Sequence, residues 1–226
     1  MEDNMKRFTT TTALLLSLIA FGSSPALAQS TGTYQVNITN LVPAQVFTPV
    51  LVATHNSSAA FFTAGAAASA ELQVLAETGN VTPMTTLLNA DTNVLDVQNS
   101  GGLHGPGNTG GVVVTGSDTF NWVSLAAMLI PTNDAFVSAR TTLPAAGEVK
   151  VLYAYAYDAG TEINDESCAS IPGPNYPECG GAGTGGSPGG GEGMVLIHSG
   201  IRGDGDFGRN RDWKNPVARI TIRKVS

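Results

Sequence analysis

Carboxylates in two short segments are the chemistry this sequence offers. Asp134 closes the run Pro131-Thr132-Asn133-Asp134, just past a long apolar stretch. Asp158 and Glu162 bracket the turn Asp158-Ala159-Gly160-Thr161-Glu162. Two loops at one end of a fold would bring these three side chains together as hard oxygen donors. Calcium takes roughly six to eight oxygens, which carboxylates and turn carbonyls supply. The same residues also suit a plainer role, in which each caps a turn or accepts backbone N–H bonds.

Other candidates are weaker. Gly203-Asp204-Gly205-Asp206-Phe207-Gly208 is a second acidic loop, but it lacks the full EF-hand pattern and reads as a solvated turn. Gly185-Gly186-Ser187-Pro188-Gly189 fits the nucleophile motif G-x-S-x-G literally. That motif needs a strand before the serine and a helix after it, whereas here it lies in a Gly, Ser and Pro run. His55, His104 and His198 are far apart and share no ligand spacing, so each reads as structural. Arg209, Arg211, Arg219, Arg223 and Lys224 give the C-terminus local positive charge, suited to an acidic glycan or to a solvated face. Nothing pairs a nucleophile with a base, so the chain is expected not to be an enzyme.

The elements that must position these residues are mostly strands. Tyr34, Val36 and Ile38 alternate with Gln35, Asn37 and Thr39, the pattern of a half-buried strand. Phe47 to Ala53 is apolar and β-branched, a second strand. Asp91 to Val97 and Val112 to Thr115 are short strands around a Gly-rich loop. Thr119 to Ile130 is apolar on both parities, which predicts a strand covered on both faces. Val149, Val151, Tyr153, Tyr155 and Tyr157 share one face of another strand, and Val217 to Val225 is the last. Ala64 to Glu77, rich in Ala, Leu and Glu and stopped by Gly79-Asn80, is the one predicted helix. Many strands and one helix predict an all-β antiparallel sandwich. Gly180 to Gly193 cannot bury a core and is expected to be a disordered surface loop.

Composition bounds the setting. Lys6 and Arg7 precede an apolar run from Ala13 to Phe21, and Pro25-Ala26-Leu27-Ala28 follows. These are the marks of a signal peptide, expected over residues 1–28 with cleavage after Ala28 and Met5 as a plausible start. Residues 29–226 then form one domain, secreted or periplasmic, with no membrane insertion. The net charge of −7 argues against nucleic acid or anionic headgroups as partners and is compatible with a cation. In an oxidising compartment Cys168 and Cys179 are expected to pair, closing a loop of about a dozen residues.

Six stretches, in order, resemble the spondin N-terminal domain in its bacterial secreted form. They are Tyr34 to Asn40, Phe47 to His55, Gly65 with Ala68-Ser69 and Leu75 to Gly79, Ser124 to Phe136, Asp158 to Glu162, and Asp212 to Ile220. The resemblance implies an eight-stranded β-sandwich akin to C2 domains, with a calcium site at one end. In animal members the ligands are an Asp in a Pro-Ser-Pro-Asp-Trp segment and two acids in an Asp-Ala-Gly-Thr-Asp segment. By position these fall on Asp134, Asp158 and Glu162. Ala135 stands where those members carry Trp, and Glu162 is one methylene longer than Asp. The animal cysteine pattern is absent, and these 226 residues hold no thrombospondin-type repeat.

The combined expectation is a secreted, calcium-binding, non-enzymatic adhesion or extracellular-matrix module. Its candidate partners are a calcium ion and an extracellular protein or glycan. A secreted hydrolase with an unrecognised site and a structural subunit of an extracellular assembly are the alternatives.

Overall fold

The computed structural model describes residues 30–226, so the expected signal peptide lies outside the described residues. The chain runs through β1 (Thr31–Asn40), β2 (Val46–Phe47), β3 (Leu51–His55), α1 (Ala70–Thr78), α2 (Thr82–Ala90) and β4 (Val94–Asn99). It continues through β5 (Thr109–Ser117), β6 (Trp122–Ile130), β7 (Ala135–Thr142) and β8 (Val149–Asp158). The remaining strands are β9 (Pro172–Tyr176), β10 (Gly181–Thr184), β11 (Leu196–Ile197) and β12 (Ala218–Lys224).

The all-β reading holds, with one correction: among the described residues there are two short α-helices rather than one. α1 starts at Ala70, later than expected, because Ser69 caps it by accepting a hydrogen bond from the N–H of Leu72 at 3.2 Å. α2 has the sequence TPMTTLLNA, whose threonines disfavour a helix on propensity. It forms because Met84 and Leu88, four residues apart on one face, are both buried. The hydroxyls of Thr85 and Thr86 meanwhile donate to carbonyls four residues back. β7 is also an addition to the expected strands.

One sheet runs β4-β3-β6-β7-β8-β12-β1-β5, with β2 beside β6 and β11 beside β8; β9 and β10 pair separately. The pairings are antiparallel. The sheet curls until its two ends meet. Thr115 of β5 donates its N–H to Asp96 of β4 at 2.7 Å and accepts from the Thr54 hydroxyl of β3 at 2.5 Å.

The curl encloses the main core, to which Val36, Ile38, Leu125, Ala127, Ile220 and Ile222 belong. A second core lies outside the sheet, where Leu51, Ala53, Ala126 and Phe136 pack beneath Leu72 and Leu75 of α1 and Met84 of α2. β6 is therefore apolar on both parities because it is buried on both sides. The outer faces of β8, β12, β1 and β5 have no such cover.

Candidate metal centre

Two strand ends place the acids. The β7–β8 register pairs Ala135 with Asp158, so Asp134, just before β7, emerges beside the last residue of β8. The N–H of Ala159 closes the corner on the Asp134 carbonyl at 3.2 Å. The chain then reverses through Gly160, whose φ of 68° suits glycine. Asp158 Oδ1 accepts the Gly160 N–H at 2.7 Å, an Asx turn.

That turn aims two amides back at the first acid. Asp134 Oδ2 accepts the N–H of Thr161 at 2.8 Å, the N–H of Glu162 at 3.1 Å and the Thr161 hydroxyl at 3.1 Å. Asp158 Oδ2 accepts from Asn164 Nδ2 at 2.6 Å. All three acids are buried, at 0% exposure for Asp134, 6% for Asp158 and 2% for Glu162.

Two of their oxygens have no hydrogen-bond partner: Asp134 Oδ1 and Glu162 Oε2. A buried carboxylate oxygen left this way is costly unless a cation or proton faces it. Burial, and then the charge of Asp158, push the Asp134 carboxyl up to about 7 against the hydrogen bonds from Thr161 and Glu162. Burial likewise pushes Glu162 up to about 7, opposed by hydrogen bonding from Ser187 and Asn133 and reinforced by the charges of Glu77 and Asp134. Among the described residues no three His, Cys, Asp or Glu side chains form a ready-made ligand set. Orphaned carboxylate oxygens suit a hard cation better than zinc, which favours nitrogen and sulfur.

The Gly-rich stretch lies against this site. Gly190 bridges Glu162, and the N–H of Ile163 donates to the Gly189 carbonyl at 3.0 Å. A Cβ on Gly191 would sit 2.5 Å from the Gly160 carbonyl oxygen and 2.7 Å from the Glu162 nitrogen, so only glycine permits the approach. Earlier in the same stretch, Gly181–Thr184 forms β10. Nothing local in the sequence marks residues 189–191 as a strap over the acids.

Asn164 was also missed, and it extends the site. Its Oδ1 lies 3.2 Å from His198 Nε2, while His198 Nδ1 accepts the N–H of Gly200 at 3.0 Å. With Nδ1 an acceptor, the imidazole is neutral with its proton on Nε2. Burial lowers its pKa, which agrees.

The neighbouring Glu166 and the other candidates are structural. Glu166 Oε1 and Oε2 are held by the amides of Arg202, Gly203 and Asp204, at 2.6 to 3.2 Å. In the second acidic loop, Asp206 accepts the N–H of Cys168 at 2.8 Å and Asp204 pairs with Arg202 at 3.4 Å. Cys168 and Cys179 form a disulfide. His104 Nε2 meets Ser100 at 2.6 Å. His55 Nε2 meets Ser124 Oγ at 2.8 Å, a contact between two buried side chains.

The family model Spondin_N matches residues 31–172, well over half of the chain and inclusive of all three acids. The chain belongs to the spondin N-terminal domain family. No curated protein sequence matches it. In this spondin domain the strap, His198 and β12 all lie beyond the matched residues.

Proposed function

We propose that this spondin-type module is an extracytoplasmic, non-enzymatic binding protein whose end loops are ordered by one calcium ion. Asp134, Asp158 and Glu162 would hold the ion. The observation that carries the reading is the pair of orphaned oxygens, Asp134 Oδ1 and Glu162 Oε2, buried within one acidic corner. The ion would supply positive charge and ligand ordering; the chain's own part is to fix the corner. The Asx turn at Asp158, the two amides on Asp134 and the strap at 189–191 do this. The disulfide suits an oxidising compartment, and among the described residues no helix is long and apolar enough to cross a membrane.

An extracellular calcium module typically binds with a Kd of roughly 10⁻⁴ to 10⁻³ M. At about ten times that constant, binding adds about 1.4 kcal/mol, or about 3 to 5 °C in Tm for a domain of this size. The test is the Tm in calcium, in magnesium and in chelator, with Asp158→Ala alongside. A rise specific to calcium and lost in the variant supports the reading. Equal Tm values in calcium and chelator overturn it.

A further inference from the structure

We propose that the uncovered outer face of β8, β12, β1 and β5 binds a polysaccharide bearing sparse carboxylates, of the uronate class. This deepens the binding-module reading by naming a partner, and rests on that reading only for the non-catalytic role; it does not depend on calcium.

The face is unlike the rest of the molecule. Register sets Tyr153 opposite Arg219, Val151 opposite Thr221 and Val149 opposite Arg223. β1 then adds Thr39, Asn37 and Gln35 in the same rows. The surface alternation of these strands exposes Tyr153 at 54% and Tyr155 at 47%. Tyr34 and Tyr176 are buried, and Tyr157 packs between Phe62 and Phe136.

The arginines sort the same way. Arg140 lies over Trp122, Arg202 pairs with Asp204, Arg209 donates to the Arg202 carbonyl, and Arg211 pairs with Glu178. Among the described arginines only Arg219 and Arg223 make no ion pair or side-chain hydrogen bond, and both stand on this face. The outward positions of the four strands carry no Asp or Glu.

Exposed tyrosines beside unengaged guanidiniums, on a face without carboxylates, call for an anionic partner with apolar ring faces. Arg219 and Arg223 are four residues apart on one strand, or roughly 13 Å at about 3.3 Å per residue. Between them lies neutral polar and aliphatic surface. That spacing matches carboxylates separated by sugar rings, whose C–H faces rest on tyrosine. It does not match the dense charge of nucleic acid, one per roughly 1.7 Å of duplex.

The test is calorimetric titration of the chain with hyaluronate oligosaccharides, in chelator and again in calcium, with carboxyl-reduced oligosaccharide as the neutral control. Binding is expected to hyaluronate alone, equal in both buffers, and weakened about tenfold by Tyr153→Ala and by Arg219→Ala. No binding, equal binding to the reduced oligosaccharide, or binding untouched by both substitutions overturns the proposal. So does self-association of the free chain that Tyr153→Ala abolishes, since a second copy then covers the face. The Tm response to calcium, read on the same samples, tests the metal separately.

Discussion

The carboxylate of Asp134 accepts the backbone N–H of Glu162 at 3.1 Å, so one acid of the corner holds the main chain of another. The loop is thus built around a negative charge that it also buries. What that charge does in the absence and presence of a cation governs the first predictions.

Asp134→Asn removes the charge while keeping a carbonyl oxygen to accept from Thr161 and Glu162. In chelator at neutral pH its Tm is expected to equal or exceed that of the parent, because the repulsion with Asp158 is gone. The calcium response of about 1.4 kcal/mol is expected to vanish. Thermal melts of both proteins with and without calcium check this; a variant that melts lower yet still responds contradicts it.

The pH dependence has a definite sign. Asp134 and Glu162 are both raised to about 7 in the folded state from ordinary values of 3.8 and 4.5. The folded chain therefore binds protons more tightly than the unfolded one. Its stability from these groups is fully present below about pH 4 and is lost as pH rises through about 7. In chelator the Tm is expected to fall between about pH 4.5 and 7. Calcium, which favours the ionised forms, is expected to flatten or reverse that fall. Melts across this range in both buffers distinguish the two.

Much of this architecture was legible in the sequence. Alternation at Tyr34, Val36 and Ile38 locates β1 to within a few residues, and the double-parity run before Pro131 marks β6 as covered on both sides. The acids were legible because Asp-Ala-Gly-Thr-Glu is turn chemistry on its face. α2 was not, since its stability comes from burying Met84 and Leu88 rather than from propensity. The strap was not either. Gly191 matters because of a backbone contact with Gly160, about 30 residues back in the chain, which no local pattern records.

Gly191→Ala tests that contact. The added methyl meets backbone on both near sides, so the strap or the turn must move, at a cost of about 1 to 3 kcal/mol. Amide exchange over residues 158–164 is expected to quicken and calcium affinity to drop. Unchanged exchange there would mean the strap is only adjacent to the acids.

The outer core has its own probe. Phe136 is fully buried between Phe62 and Tyr157, with ring centroids at 5.1 and 5.6 Å. Phe136→Ala is expected to lower stability by about 3 to 5 kcal/mol, read as a shift in urea midpoint. Val113→Ala, on the exposed face of β5, is expected to change it little.

β12 lies between β8 and β1, so the strand nearest the C-terminus is an interior plank of the sheet, and the earliest strand waits for it. Until residues 218–224 arrive, β1 has β5 alone, and the edge of β8 stands open to any extended chain. Such a molecule cannot mature progressively from its beginning. Its closure takes a long-range step, which favours slow folding.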